Sequence, residues 1–229
     1  GAAYLLMVEE DPELEERMDD IIDIIAEAQQ DDGYLYVSHI CGIATPQAEM
    51  GMKPYEYVLH SHELYNVGHL YEGAAAYFQA TGKKNWLAVA EKSARHVNQV
   101  IFEGHPNYND GAPINQAPGH QEIEIGLCKL YQVTGEKLYL DMAKAFLDIR
   151  GVTFKLDPLG KGVMSPDYAQ QHAPVAEQDR AVGHSVRAAY MYAGMADVGA
   201  MAHIDGYDAA LDRIWKNMVD TKMHITGGL

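Results

Sequence analysis

Three histidines occupy equivalent places in this sequence. His62 opens the run His62-Glu63-Leu64-Tyr65-Asn66, His120 follows Gly119 and His184 follows Gly183, each where helical patterning begins. A helix N-terminus disfavours the imidazolium form, so neutral rings are expected, each with one donor and one acceptor nitrogen. Binding a sugar hydroxyl needs both functions. The plain alternative is that each ring caps its own helix or satisfies a hydrogen bond in the core. Their equivalent placement favours the shared role.

Paired carboxylates mark acid–base work on glycosidic bonds. Glu63, Glu72, Glu122 and Glu124 lie on the same segments. Glu63 follows His62 directly and Glu122 stands two places after His120, so either could support a ligand-contacting ring. Glu63 could equally complement the helix dipole. The turn from Gln29 to Leu35 carries amides, acids and an aromatic, the makeup of a sugar-facing loop, which marks Gln30 and Asp32; an ordinary turn would carry the same residues. His60-x-His62 would put two rings on one face of a strand, but the residues just after His62 look helical. No Cys, Asp or third His completes a shell there, so no metal site is read from the chain. His39, His96, His105, His172, His203 and His224 scatter over loops and polar faces and are expected to be solvated.

The elements that must position these residues read as helices. Asp11-Pro12-Glu13 is a helix start, and Leu14, Met18, Ile21, Ile22, Ile25 and Ala28 form one apolar stripe. Tyr34 to Ile40 could be extended. From His62 a two-helix unit repeats three times, turning at Thr81-Gly82, at Thr134-Gly135 and near Asp205-Gly206, with Trp86, Tyr139 and Tyr207 opening the return helices. The first helix of units one and three is apolar nearly all round, and every return helix is amphipathic. A helix apolar on all faces must be surrounded, which predicts an inner ring of helices wrapped by an outer one: an all-α, α/α toroid. A closed six-pair toroid needs about a dozen helices, whereas this chain offers about seven main helices with long loops, so the toroid is expected to be incomplete. The irregular stretches 104–119 and 151–182 each lead into a Gly-His, and loops of that length usually carry function or disorder.

Composition narrows the partners. The 229 residues carry 33 acidic and 17 basic side chains, a formal charge of −16, which argues against a nucleic-acid backbone as ligand. No apolar run reaches a membrane span. Cys41 and Cys128 form no disulfide framework and no Cys-rich zinc set. The chain begins at Gly1 without a charged-then-apolar leader, so a signal peptide was removed or never existed. The compartment stays open between bacterial cytoplasm and periplasm or exterior, and a homodimer is compatible with the sequence.

Several segments, in order, carry a family resemblance. They include His62-Glu63-Leu64-Tyr65-Asn66-x-Gly68-His69-Leu70, Gly119-His120-x-Glu122-Ile123-Glu124 and Leu130-Tyr131-x-Val133-Thr134-Gly135-Glu136-Lys137-x-Tyr139-Leu140. Asp148-x-Arg150-Gly151, Pro174-Val175-x-Glu177-Gln178, Ala181-Val182-Gly183-His184-x-Val186-Arg187 and Met223-x-Ile225-Thr226-Gly227-Gly228 complete the set. With these the chain resembles the β-L-arabinofuranosidase family of glycoside hydrolases, family 127 and its close relatives, over essentially its whole length. The resemblance implies an (α/α)6-barrel catalytic domain that releases L-arabinofuranose or a related sugar with retention. It implies sugar contacts by His62, His120 and His184, a glutamate acid/base, and a cysteine thiolate nucleophile held on zinc. In the family the acid/base, the zinc ligands and the nucleophile come after the Ile-Thr-Gly-Gly motif. On this reading no catalytic residue and no zinc ligand falls in residues 1–229, which form a partial barrel domain truncated at both ends. The parent protein is then the glycosidase, and this chain alone is inactive. Near Tyr36-Val37-Ser38-His39 the sequence departs from the family, leaving the sugar open. Two other readings stand beside it: a non-catalytic carbohydrate-binding remnant, and an α/α scaffold for a protein partner.

Overall fold

The structure, a computed structural model, describes residues 1–43, 50–156 and 164–228. Among these residues the secondary structure is helical, with nine α-helices and no strand. Seven are long: α2 (Pro12–Ala28), α4 (Glu63–Thr81), α5 (Asn85–Asn98), α6 (Ile123–Thr134), α7 (Lys137–Ile149), α8 (Ser185–Ala202) and α9 (Asp205–Thr221). Two are short, α1 (Ala2–Leu6) and α3 (Val37–Ile40). Asp11 caps α2 through its Oδ1, which accepts from Leu14 N at 3.0 Å, with Pro12 in the first turn. Gly82 and Gly135 end α4 and α6 in the left-handed conformation that glycine adopts without steric cost.

The pairs stack as inner α4, α6 and α8 against outer α5, α7 and α9, with α6 between its two inner neighbours. α1 lies against α4 and α2 against α5, so these two stand at the inner and outer places of a fourth pair. The inner helices meet at glycines. A Cβ on Gly126 would stand 2.3 Å from Gly68 O, and one on Gly194 would stand 3.1 Å from Glu124 Cβ. The core between the layers holds Tyr71, Val97, Leu127, Tyr139, Phe146, Met191 and Met195, all fully buried. This is part of an (α/α)6 barrel.

Two local expectations change. Only the first part of Tyr34–Ile40 is non-helical, with Tyr36 extended at φ −151° and ψ 115°: Asp32 Oδ1 captures Tyr34 N at 3.0 Å and α3 closes a helical turn at Val37–Ile40. No second strand exists among the described residues to offer a ladder, so the backbone satisfies itself locally. The third turn falls earlier than Asp205-Gly206. His203, at φ 56°, ends α8, and Asp205 already opens α9.

Candidate functional site

The parallel inner helices deliver the three histidines to one rim. The rings of His62 and His120 lie 5.8 Å apart, and those of His120 and His184 lie 6.4 Å apart. Two tyrosines from the inner helices join them: Tyr65 is 4.3 Å from His120, and Tyr190 is 5.6 Å from it. Tyr168, from the loop before α8, packs edge-on to His184 at 5.5 Å. The result is a polar aromatic surface of the kind that stacks on sugar rings and bonds their hydroxyls.

Their hydrogen bonds fix two tautomers. His120 Nδ1 lies 2.8 Å from the Gln121 carbonyl, which can only accept, so Nδ1 carries the proton and a neutral ring keeps Nε2 as an acceptor. Burial pushes the His120 pKa down to about 4, with Arg187, His62 and His184 adding to it and the Gln121 bond opposing. The ring is therefore neutral near pH 7, as expected, but through burial rather than helix position, since His120 stands two places before the N-cap Glu122 of α6. His184 Nδ1 accepts from Arg187 N at 3.4 Å and so caps α8; its neutral form carries the proton on Nε2. Capping and a place on the shared rim coexist in this residue.

The loop ahead of α8 is tied to both rings by a buried amide network. Gln121 Nε2 donates to Gln170 Oε1 at 2.9 Å, and Gln170 Nε2 donates to the carbonyls of Val182 and His184 at 2.9 and 3.2 Å. Gln170 holds this geometry at φ 54°, a strained backbone for a residue with a side chain. Arg187 donates to Gly119 O at 2.9 Å, joining the start of α8 to the approach to His120. Beneath them Arg150, fully buried, donates to Glu124 Oε1 at 3.3 Å and to Ala169 O at 3.2 Å. Apolar periodicity contains no sign of these links, because each joins residues far apart in the chain.

Glu63, Asp32 and Gln30 belong to a neighbouring group. Glu63 is 2% exposed and accepts from Tyr34 Oη at 2.5 Å, Tyr55 N at 3.0 Å and Ser61 Oγ at 3.0 Å. It staples the turn at Tyr34 to the start of α4. Burial raises its pKa to about 7 against those bonds. Asp32 accepts from Tyr108 Oη at 2.6 Å; burial alone would raise this carboxyl, but the Tyr108 and Tyr34 bonds hold it below its ordinary value. Gln30 is exposed at the rim of a cavity of about 410 Å³ that Tyr34, His39 and Tyr108 also line.

Two histidines expected in solvent are not there. The His39 ring is largely buried beside Glu63. His96 is 1% exposed, enclosed by Tyr34, Tyr55 and Tyr108, with Asp32 Oδ2 3.8 Å away. It lies on the inward stripe of α5 with Val89, Ser93 and Val97, and rings from distant segments cover it. Burial lowers its pKa to about 4, against the attraction of Asp32 and with His105 adding to the fall. The native state thus binds fewer protons than the unfolded chain between pH 6.5 and 4, so this contribution to stability is lost as pH falls through that window. Measured by urea denaturation, the wild type is expected to lose up to about 3 kcal/mol relative to His96→Phe between those limits. Parallel curves for the two proteins would refute it.

Glu122 is fully buried at the start of α6, where His69 Nδ1 lies 3.1 Å from its Oε1. Burial, the facing Glu72 carboxyl and Glu124 raise its pKa to about 9. His69, Glu72 and Glu122 offer three donor atoms within 4.8 Å of one another, a grouping that no ligand spacing in the sequence marks. It contains no thiol. Cys41 is exposed, and burial pushes the Cys128 thiol up to about 12, which keeps it protonated and unsuited to a metal. The residues described therefore do not fit a cysteine-held zinc.

Among the described residues no helix is long and apolar enough to cross a membrane. Comparison with known proteins places the whole arrangement. Residues 1–229 match the family model described as Beta-L-arabinofuranosidase, GH127 catalytic domain. A non-reducing end β-L-arabinofuranosidase of Bifidobacterium longum subsp. longum is 36% identical over 244 aligned residues, spanning 100% of this chain and 35% of its own length. A solved GH127 β-arabinofuranosidase superposes with a TM-score of 0.86 at 44% identity, covering 100% of this chain and 34% of that one. A GH127 β-L-arabinofuranosidase from Geobacillus stearothermophilus T6 gives a TM-score of 0.86 at 38% identity, covering 100% and 35%. The chain thus spans about a third of the length of the relatives it matches. With its stacked helix pairs and histidine rim, it belongs to the GH127 β-L-arabinofuranosidase catalytic-domain family.

Proposed function

We propose that this chain supplies the sugar-binding wall of a glycoside hydrolase that releases L-arabinofuranose or a related sugar from glycans. The observation that carries the proposal is the His62–His120–His184 rim, with rings 5.8 and 6.4 Å apart. At this rim His120 presents an acceptor and His184 a donor nitrogen, matching the two faces of a hydroxyl group. Tyr65 and Tyr190 supply apolar faces for the ring carbons. Gln121 and Gln170 hold the rim against the loop, so little ordering remains to oppose binding. The residues that break the glycosidic bond, including the zinc-held thiolate the resemblance implies, are assigned to the two thirds of the relatives' length that this chain does not match.

Calorimetric titration with L-arabinose tests the binding half of the proposal. Saturable binding is expected, weakened roughly 10-fold or more in His120→Ala, as loss of a desolvated hydrogen bond requires. His224→Ala, at an exposed position, should bind as the wild type does. A folded chain that gives no signal with any pentose would overturn it. Incubation with p-nitrophenyl β-L-arabinofuranoside tests the other half: the substrate should survive, and zinc-dependent turnover by residues 1–229 would refute the division of labour.

A further inference from the structure

We propose that His69, Glu72 and Glu122 form a divalent-cation site in the wall shared by α4 and α6. His69 and Glu72 stand one helical turn apart on the same face of α4, and Glu122 reaches them from the start of α6. Gly68 makes the approach possible, because a Cβ there would stand 2.7 Å from Glu122 Cγ. His69 Nδ1 lies 3.1 Å from Glu122 Oε1 and 3.6 Å from Glu72 Oε2. Donor atoms about 2.0–2.2 Å from a tetrahedral metal lie about 3.3–3.6 Å from each other, so both separations are close to those of one shared ion.

The need for a cation comes from Glu122 itself. It is 0% exposed, and apart from His69 Nδ1 at 3.1 Å and the facing Glu72 carboxyl no backbone N–H, hydroxyl or guanidinium among the described residues meets its oxygens. The chain treats its other buried carboxylates differently. Glu63 is met by Tyr34, Tyr55 and Ser61, and Glu124 by Arg150. A buried carboxylate met by one partly exposed imidazole is costly, and a second carboxylate facing it adds repulsion. An ion between the three groups removes both penalties. Solvent can deliver it, because His69 and Glu72 are partly exposed and border a cavity of about 420 Å³.

The donor chemistry narrows the ion. One imidazole and two carboxylates suit Mn²⁺, Co²⁺ or Zn²⁺, with water completing the shell, better than a thiophilic ion or Mg²⁺. The site stands one ring from the histidine rim, since Tyr65 packs 4.5 Å from His69 and 4.3 Å from His120. It does not depend on the sugar-binding proposal, and neither does its test.

Mn²⁺ titration of the metal-free chain, followed by the paramagnetic resonance signal of the free ion, provides that test. One saturable site per chain is expected, with Co²⁺ and Zn²⁺ competing. Glu122→Gln keeps the size of the side chain, and Glu72→Gln changes a partly exposed residue, so both should fold, with unchanged circular dichroism as the check. Each should weaken Mn²⁺ binding at least roughly 10-fold. Absence of saturable binding by all three ions overturns the proposal. So does stoichiometric binding that both folded variants retain, because the ion would then sit elsewhere.

Discussion

Replacing Arg150 with methionine is expected to cost about 3–5 kcal/mol of stability, the penalty for stranding one member of a buried ion pair. The guanidinium is fully buried, and it serves Glu124 Oε1 and Ala169 O together. Methionine fills much of the volume and donates to neither. Glu124, 1% exposed, would be left without its counter-charge, and Ala169 would lose the bond that seats the turn leading to Gln170. Urea denaturation gives the magnitude. The double variant Arg150→Met with Glu124→Gln should recover part of the loss, because an uncharged amide is cheaper to bury than a lone carboxylate. A single-variant loss below about 1 kcal/mol would mean the pair is solvated in a way the structure does not show.

Gly126→Ala should be the next most damaging change. The added Cβ would lie 2.3 Å from Gly68 O and 2.9 Å from Gly68 C, both of them backbone atoms that cannot swing aside. The helices must separate, and the overpacking cost of about 1–3 kcal/mol or more exceeds the ~1 kcal/mol that alanine gains over glycine in a helix. A fall in Tm of about 4–8 °C is expected for a net loss near 2 kcal/mol at this chain length. Gly206→Ala supplies the opposite sign. Its Cβ would meet only Ala176 Cβ, at 3.7 Å, so the helix-propensity gain should stand alone and raise Tm slightly. If Gly126→Ala raises Tm as Gly206→Ala does, the α4–α6 crossing is not a tight backbone contact. Separating α4 from α6 should also widen the gap between His62 and His120, so the folded fraction of Gly126→Ala should bind L-arabinose more weakly.

Much of the architecture is legible in the residues. Glycines after Thr81 and Thr134, small apolar inner segments and amphipathic returns specify paired helices in two layers, because those patterns come from local periodicity. Although only His62 and His184 are N-cap residues and His120 stands two places before the N-cap Glu122 of α6, the convergence of the three is legible for the same reason. The supports of that rim are not. Gln121 and Gln170 are 49 positions apart, and Arg150 and Glu124 are 26 apart; nothing local says that each pair will meet. His96 escapes detection because a histidine among Lys92, Arg95 and Asn98 looks like part of a polar face. Its enclosure comes from Tyr34, Tyr55 and Tyr108 on other segments. The third turn shifts because His203 takes a left-handed conformation usually left to glycine.

The tautomer held by His120 has a consequence for how a ligand is met. Its Nδ1 proton is committed to the Gln121 carbonyl, and its ring does not charge until about pH 4. Capture of an uncharged sugar at this ring therefore moves no proton between protein and solvent near neutrality, and leaves no charge there for salt to screen. On the proposed sugar-binding role, a change in buffer acidity near neutrality or in ionic strength should leave the share of affinity contributed by His120 untouched.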